Sequence, residues 1–300
     1  MGTKIDMVSI APLPGVKTAR KTLWLAKKAA VMCLKESGIP ASEIELIVFA
    51  GIYRDKHIGE PSIASLLQKE IGINPELYPI NNRTFSFDLN GGGCGLINSF
   101  EVISGFMESG KISRAMVITG DSEPINGLSE TFKFSASGAA VILSKTNSNE
   151  GFGMIRNYTY PEHENSFGSY ISWKKKEGKL RERNILVIEQ SDNYLEECIL
   201  CSIDSLRDFL KRNKLSLNDI KYIVPSQSPA GFADGLESRL KGKATVMKLN
   251  NSKKSELHTS GPAFALRKVW DTGGFEGPGK ILFLAVGSGI SNALALYSPG

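Results

Sequence analysis

The chain repeats part of its own pattern, and this repeat limits the folds that it can adopt. Residues 38–49 and 214–225 share a polar loop that leads into an apolar run, with Ile44 aligned to Ile220. Each segment follows a stretch of helical periodicity, at 22–36 and 193–211. Residues 113–119 match 277–284, and 138–144 match 292–298, in the same order. We therefore predict an α/β fold of two pseudo-repeated halves, 1–155 and 156–300, each packing helices against a mixed sheet.

Composition indicates a folded protein without a membrane segment. The 300 residues are 41% apolar, which is enough for a substantial core. The most apolar stretch, 281–297, is broken by Gly287-Ser288-Gly289, so it predicts two buried strands rather than a membrane span. Lys4 and Asp6 interrupt the first apolar residues, and no signal peptide is indicated. With four scattered cysteines, we expect a reduced, cytoplasmic protein.

Basic residues cluster at 173–176 and 179–183, within a formal net charge of +5. Such a run is typical of a solvated loop, and it could also attract an acidic partner such as an acyl carrier protein or the phosphates of coenzyme A. Aromatic residues are not interleaved with the basic ones, which disfavours nucleic acid as a partner.

Cys94 is the candidate nucleophile. It lies in the segment Asn-Gly-Gly-Gly-Cys-Gly at 90–95, between an apolar strand predicted at 84–89 and an amphipathic helix predicted at 96–108. A thiol at a helix N-terminus meets the positive end of the helix dipole, which favours the thiolate. The small flanking residues would let a substrate carbonyl approach. The alternative is a buried cysteine that acts as a small core hydrophobe.

The motifs resemble the thiolase-like superfamily and, more narrowly, 3-oxoacyl-[acyl-carrier-protein] synthase III. The resemblance spans almost the whole chain in family order, through the segments at 60–64, 87–94, 134–140, 224–227, 257–260 and 285–289. It implies mixed five-stranded sheets in a layered αβαβα arrangement. It also implies that the protein needs no cofactor or metal, that it pairs as a dimer near residues 73–85, and that its substrate is an acyl thioester of coenzyme A or of an acyl carrier protein.

The resemblance further implies ping-pong acyl transfer through Cys94. The cysteine would accept an acyl group from the thioester, and a second nucleophile would then resolve the S-acyl enzyme. Backbone N–H groups of Cys94 and Ser288 would form the oxyanion hole. The implied setting is a fatty-acid-related or specialised (secondary) metabolite pathway.

Two positions depart from the family pattern, so the catalytic triad is degenerate. The usual histidine is replaced by Ser226, which can donate a hydrogen bond but cannot carry a proton charge near neutral pH. The usual asparagine is replaced by His258, which resembles the thiolase arrangement and could take the proton of Cys94. The family's coenzyme A-seating segment after the first strand is absent, and the connection from 121 to 134 is short.

Three functions stay open at this point. The first is an acyltransferase or condensing enzyme that uses Cys94, His258 and Ser226. The second is a catalytically impaired partner subunit of a heterodimer with a paralogue, and the third is an acyl-binding or carrier-binding module without turnover. Cys198 and Cys201 follow a helical pattern and are predicted to be core thiols, while His57 and His163 are predicted to lie at the surface or in loops.

Overall fold

The computed structural model describes residues 2–11, 21–75, 83–123, 129, 131–175, 182–249 and 256–300. The first part of the chain forms β1 (Gly2–Ile10), α1 (Thr22–Ser37), β2 (Leu46–Phe49), α2 (Ile63–Ile71), β3 (Phe85–Asp88), α3 (Gly95–Glu108), β4 (Arg114–Asp121) and β5 (Ser137–Thr146). The remainder forms β6 (Gly151–Thr159), β7 (Phe167–Lys175), β8 (Glu182–Gln190), α4 (Tyr194–Arg212), β9 (Ile220–Pro225), α5 (Phe232–Leu240), β10 (Thr245–Val246), α6 (Gly261–Asp271), β11 (Lys280–Gly287) and β12 (Ser291–Ser298).

The two large sheets have the same topology. The first runs β1-β5-β4-β2-β3 and the second runs β6-β12-β11-β9-β10. In each sheet two neighbouring pairs are parallel, β4-β2-β3 and β11-β9-β10, and the two remaining pairs are antiparallel. Even the short 3₁₀ turns before β2 and β9 recur, at Ala41–Glu43 and Leu217–Asp219. The predicted α/β fold with two five-stranded mixed sheets is confirmed.

Five layers follow from the way in which the strands bury both faces. Ala115 and Val117 of β4 pack toward α3 and α6, whereas Met116 and Ile118 pack toward α1 and α2. The inner cluster also contains Phe283 of β11, so α3 and α6 lie between the two sheets. On the outer face of the second sheet, α4 and α5 form a separate cluster. The order is therefore α1/α2, first sheet, α3/α6, second sheet, α4/α5.

Local predictions compare closely with the observed elements. The helices predicted at 22–36, 96–108 and 193–211 and the strand predicted at 84–89 match α1, α3, α4 and β3 to within one residue at each end. The stretch 281–297 forms the antiparallel pair β11 and β12. The division proposed at residue 155 stays a prediction, and β6 spans that residue. None of the helices in the described ranges is long and apolar enough to cross a bilayer.

The prediction of a solvated loop for the basic cluster is wrong at its two ends. Residues 173–175 close β7 and residues 182–183 open β8, and these strands pair with each other as a separate antiparallel ribbon. The residues between the strands, 176–181, lie outside the described ranges. Phe167, at the start of the ribbon, packs against Tyr194 of α4 with ring centroids 5.3 Å apart. The ribbon is therefore anchored beside the cavity described below.

Candidate active site

The candidate site forms where strands of both sheets end. In a parallel α/β sheet, the carboxyl ends of the strands open onto loops that carry side chains into a shared crevice. Here the loops that follow β2, β3, β4, β9 and β11 meet the segment that precedes α6. These loops supply, in chain order, Tyr53, Asn90 to Cys94, Asp121, Ser226, His258 and Gly287-Ser288.

Two adjoining cavities occupy this crevice. The His258 cavity, of about 250 Å³, is lined by Ile52, Tyr53, Asn90, Gly92, Gly93, Phe167, Ser169, Tyr194, Ser228, His258, Val286, Gly287 and Ser288. The Cys94 cavity, of about 350 Å³, is lined by Asn90, Gly91, Gly92, Cys94, Asn98, Asn157, Tyr158, Thr159, Ser288, Ser291 and Asn292. Asn90, Gly92 and Ser288 line both, so the two cavities are parts of one crevice. His258 lines one part of it and Cys94 lines the other.

Cys94 is buried and its thiol points toward the backbone of β11 and β12. The residue is 3% exposed. Its Sγ lies 3.7 Å from the carbonyl oxygen of Ala285 and 3.5 Å from that of Ser291, both within the distance of a weak S–H hydrogen bond. Burial raises the pKa of the Cys94 thiol to about 12, against smaller lowering effects from Ser291 and Ala293. Burial thus acts against the thiolate, whereas the helix N-terminus identified in the sequence acts in its favour.

The three glycines before Cys94 allow the backbone to pass very close to β11. Gly92 has φ of +53°, in the left-handed region that favours glycine. A Cβ placed on Gly93 would lie 2.1 Å from the carbonyl oxygen of Val286. That separation is far below any van der Waals contact, so this backbone arrangement requires glycine at position 93. As a result, Gly93 contributes only backbone to the lining of the His258 cavity.

His258 is enclosed by aromatic rings. Its ring centroid lies 4.6 Å from that of Phe134 and 5.2 Å from that of Tyr53, and these two residues stack on each other at 5.1 Å. The imidazole Nδ1 is buried and has no hydrogen-bond partner in the described residues. It faces the carboxylate of Asp121, with Nδ1 4.0 Å from Oδ2. Nε2 is therefore the nitrogen that faces the cavity.

Asp121 lies next to His258 and accepts hydrogen bonds from residues of both halves. The residue is fully buried. Its Oδ1 accepts hydrogen bonds from the N–H groups of Ile52 and Tyr53, at 3.3 and 3.1 Å. Its Oδ2 accepts from the N–H and the hydroxyl of Thr259, at 2.9 and 2.7 Å. Four donors stabilise this buried carboxylate and fix the residue next to His258.

The surroundings of His258 keep its imidazole neutral. Burial among the aromatic rings lowers the pKa of His258, since charging the ring there would cost solvation. Asp121 and Glu256 act in the opposite direction, and Lys133 adds to the lowering. Lys133 and Glu256 pair with each other, Nζ to Oε1 at 3.3 Å. A neutral imidazole with Nδ1–H toward Asp121 presents the Nε2 lone pair to the cavity, where it can accept a proton.

Ser226 and Cys94 use their predicted catalytic groups in other contacts. The hydroxyl oxygen of Ser226 accepts a hydrogen bond from the N–H of Val286 at 3.0 Å, and the residue is 2% exposed. Ser226 lines neither cavity. The N–H of Cys94, predicted to be an oxyanion donor, donates to the carbonyl oxygen of Gly91 at 3.0 Å. Within the described residues no hydrogen bond joins Cys94 Sγ to His258 or to Ser226.

Two other backbone donors adjoin the His258 cavity. Gly93 and Ser288 both line it, and among the described hydrogen bonds neither of their N–H groups has a backbone acceptor outside the regular elements. Of the two oxyanion donors predicted from the sequence, Ser288 lines both cavities and Cys94 lines the adjoining one. Backbone N–H groups of this kind stabilise an oxygen that gains negative charge.

Sequence reasoning missed Asp121, Gly93 and the aromatic enclosure. Asp121 had a readable signal, because a carboxylate directly after the apolar strand at 115–120 would lie at the carboxyl end of that strand. Tyr53 and Phe134 carried no such signal, since aromatic residues in loops are common in cores. The other singled-out residues lie away from this site: Cys198 and Cys201 are buried in α4, His57 is exposed, and His163 Nδ1 lies 3.6 Å from Glu197. Among the described residues no group of three or more His, Cys, Asp or Glu is placed to hold a metal ion.

Comparison with known proteins agrees with this architecture. The chain is 24% identical over 294 residues to the β-ketoacyl-[acyl-carrier-protein] synthase III of Clostridium beijerinckii, covering 94% of this chain and 85% of the relative. It is 25% identical over 284 residues to the same-named protein of Koribacter versatilis, covering 91% and 81%. No family model matches the chain.

Solved structures of the same kind share the fold over nearly the whole length. The 3-oxoacyl-[acyl-carrier-protein] synthase III of Aquifex aeolicus superposes with a TM-score of 0.78 at 17% identity, covering 99% of this chain and 100% of that one. A cysteine-to-serine variant of Xanthomonas campestris OleA, with bound lauric acid and lauroyl-CoA, gives a TM-score of 0.77 at 15% identity, covering 99% of both chains.

Proposed function

We propose that this chain, a 3-oxoacyl-[acyl-carrier-protein] synthase III-like protein of the thiolase-like superfamily, is an acyltransferase. In this proposal it transfers an acyl group from a thioester to a second nucleophile in the His258 cavity. Its homologues belong to a class of acyl-transferring condensing enzymes. The proposed donor is an acyl-coenzyme A or an acyl carrier protein thioester. The proposed setting is fatty-acid-related or specialised metabolism. Like its relatives, the protein would do this without a metal or a resident cofactor.

The observation that carries the proposal is a neutral, buried histidine at a cavity that also has backbone donors. His258 Nε2 faces the cavity, and Asp121 lies behind Nδ1 at 4.0 Å. An imidazole held in this way can take a proton from an attacking group and return it to the leaving thiolate. The N–H groups of Gly93 and Ser288 would hold the thioester oxygen as it gains negative charge, which typically contributes roughly two to three orders of magnitude in rate.

The S-acyl intermediate on Cys94, predicted from the sequence, has less support. The thiol lines the adjoining cavity, its Sγ lies near two carbonyl oxygens, and no described hydrogen bond joins it to His258. Decarboxylative condensation also has little support, because Ser226 is occupied by the N–H of Val286.

A second candidate function is a partner subunit that completes a paralogous enzyme. The observation that favours it is that no described hydrogen bond joins Cys94 Sγ to His258. Dimerisation is common to both candidates and is itself a proposal: β3 is an edge strand of the first sheet, and Phe85 on it is 59% exposed. The predicted contact region, 73–85, is only partly described, since 76–82 lie outside the described ranges.

Release of coenzyme A or carrier protein from a thioester panel tests the proposal. The purified protein is incubated with acyl-coenzyme A and acyl-carrier-protein thioesters and with a panel of alcohols and amines, and products are identified by mass spectrometry. Acyl transfer that depends on His258 would support the proposal. No transfer from any donor by the folded protein would refute it and leave the partner subunit, which co-purification with a paralogue would then identify.

A further inference from the structure

We infer that the acyl group handled by this protein carries a hydroxyl substituent on one of its first carbon atoms, and that Asn98 recognises this hydroxyl. The inference rests on the proposed acyl transfer and names the substrate class of that same site. Three observations on the Cys94 cavity support it: its polar lining, the side-chain amide of Asn98, which has no partner, and the position of Asn98 beside Cys94.

The first observation is that the Cys94 cavity is lined by polar groups. Four asparagines line it, Asn90, Asn98, Asn157 and Asn292. The remaining described side chains of its lining are those of Cys94 and of four hydroxyl residues, and none is an aliphatic hydrocarbon or a phenylalanine. An unsubstituted alkyl chain is stabilised by burial against apolar surface, whereas this lining suits an acyl group that forms hydrogen bonds.

Three of the four asparagines have partners inside the protein. The amide of Asn292 bonds to two serines of α4, at 2.8 and 3.2 Å. The Oδ1 of Asn90 accepts a hydrogen bond from Arg54 at 2.9 Å. The Nδ2 of Asn157 donates to the carboxylate of Glu101 at 2.7 Å. These contacts hold the three amides in place around the cavity.

The second observation is that the side-chain amide of Asn98 has no hydrogen bond within the described part of the chain. Its Oδ1 is buried without a partner. An amide offers one acceptor oxygen and two donor hydrogens, and leaving such groups unpaired away from water costs free energy. Because no internal contact fixes this amide, rotation about the Cβ–Cγ bond can turn its oxygen or its nitrogen toward a ligand.

The third observation is that Asn98 lies beside Cys94. Cys94 is the N-cap of α3 and Asn98 follows it by four residues, a spacing that puts Cβ atoms on one helix face roughly 5–6 Å apart. Helical side chains lean toward the N-terminus, so the amide lies over the glycine turn. Accordingly, a Cβ placed on Gly91 would lie 3.0 Å from Asn98 Nδ2. An acyl group whose carbonyl carbon lies at Cys94, on its thioester or on the thiol, therefore brings its first carbon atoms to Asn98.

The chemistry of the amide defines the substrate class. A hydroxyl on carbon 2 or carbon 3 of the acyl group can donate to Asn98 Oδ1 or accept from its Nδ2. An unsubstituted acyl chain would leave the amide unpaired. A site with an unpaired polar group discriminates against the analogue that lacks the matching hydroxyl, so we expect a preference of roughly tenfold to a hundredfold for the hydroxyacyl group.

Binding measured without turnover tests this inference. The probes are amide analogues of coenzyme A thioesters, in which nitrogen replaces the thioester sulfur, with butyryl, 2-hydroxybutyryl and 3-hydroxybutyryl groups. Isothermal titration calorimetry on the full wild-type chain gives the three dissociation constants. One of the two hydroxylated analogues should bind roughly tenfold to a hundredfold more tightly than the butyryl analogue. Equal affinities, tighter binding of the butyryl analogue, or no binding of any analogue would overturn the inference.

Two variants assign the preference to Asn98. Asn98→Leu removes the amide at similar size, and leucine is the better helix former, so α3 should be retained. This variant should lose the preference because the hydroxylated analogue binds more weakly. Asn213→Leu is the matched control, since Asn213 is also half-buried and lines neither cavity. A preference that persists in Asn98→Leu would overturn the role of Asn98.

Release of coenzyme A from the true thioesters tests the proposed function separately. Butyryl-coenzyme A and the preferred hydroxybutyryl-coenzyme A are compared with the same panel of nucleophiles. Selective binding without release of coenzyme A would support Asn98 as the site of a hydroxyacyl ligand and refute acyl transfer. Acyl transfer with equal affinity for the three analogues would support the proposed function and overturn the inference. The affinities come from wild-type protein, so the test stands even if Asn98→Leu is poorly folded.

Discussion

The inner helices α3 and α6 occupy equivalent places in the two halves, and they begin in opposite ways. The junction before α3 is a run of glycines whose backbone passes beside β11 and which ends in Cys94, whose thiol lies against the backbone of β11 and β12. The junction before α6 carries His258 into that cavity, with Thr259 bound to Asp121 of the first half. Of these two junctions, the one before α6 therefore supplies the histidine, and the one before α3 supplies mainly backbone.

This difference shows how a duplicated fold can build an asymmetric site. Duplication gives two strand-to-helix junctions that point at one crevice, and their local sequences then decide what each one contributes. Because the junction before α3 is glycine-rich, its contribution is donors and space. Because the segment before α6 is enclosed by Tyr53 and Phe134, its contribution is a neutral base.

Removing the side-chain contribution should have the largest effect. His258→Ala takes away the proposed general base, so the rate of acyl transfer should fall by roughly 10² to 10⁴. His163→Ala is the matched control, because His163 pairs with Glu197 outside both cavities. Steady-state release of free coenzyme A measures both variants. Equal rates for the two would show that the second half does not supply the base.

The backbone contribution is tested at Gly93. Gly93→Ala forces a methyl group against the carbonyl oxygen of Val286, and we expect it to lower the free energy of unfolding by about 1–3 kcal/mol. Gly105→Ala is the control within α3, where a Cβ meets nothing within 4 Å and alanine should stabilise the helix by about 0.5–1 kcal/mol. Urea denaturation gives both values. If Gly93→Ala is neutral, the close passage of the two junctions is not a tight constraint.

Asp121 joins the two halves, and its charge should be visible in the pH dependence of the rate. The proposed base is active when neutral, so the rate falls as the pH drops through the pKa of His258. Asp121 raises that pKa, and Asp121→Asn should therefore move the acid limb to lower pH. Loss of hydrogen bonds to a buried charge should also cost about 1–3 kcal/mol of stability.

Glu256→Gln separates this electrostatic effect from a structural one. Glu256 acts on His258 in the same direction as Asp121 but less strongly, and Lys133 opposes both. A smaller shift of the acid limb to lower pH is therefore expected for Glu256→Gln. The acid limb of the pH–rate profile of Asp121→Asn is measured at temperatures where the variant is folded. If it is unchanged from wild type, Asp121 does not position the base.

The last effect, roughly 1 kcal/mol at each pH unit, concerns the buried thiol of the first half. The pKa of Cys94 rises from 9.0 to about 12 on folding, so the neutral thiol stabilises the protein below pH 9 and this stabilisation is lost as the pH rises toward 12. Over that range Cys94→Ala should make the pH dependence of the unfolding free energy shallower by roughly 1 kcal/mol per pH unit. Cys33→Ala, at an equally shifted core thiol, provides the comparison. If the slope becomes shallower in Cys33→Ala but is unchanged in Cys94→Ala, the thiol at position 94 ionises readily.

The sequence by itself determined the duplication and most of its elements. The alignment of Ile44 with Ile220 predicted two similar halves, because burial periodicity is a local property that each half repeats. The glycine run at 91–93 marked the junction before α3 as a candidate site, because small residues let a substrate approach. The family resemblance added Ser288 as a candidate donor, and Ser288 lines the crevice.

Tertiary structure alone decided which groups meet. The side of the turn on which the Cys94 thiol lies depends on how closely β11 approaches, and β11 comes almost 200 positions later in the chain. The contact of Asp121 with Thr259 spans 138 positions. Residue patterns record whether a side chain is buried, but the direction in which it points at a turn follows from the backbone that packs against it. For that physical reason the sequence pointed to the residues of the crevice, whereas only the fold decided which atoms of His258, Asp121 and Cys94 have which neighbours.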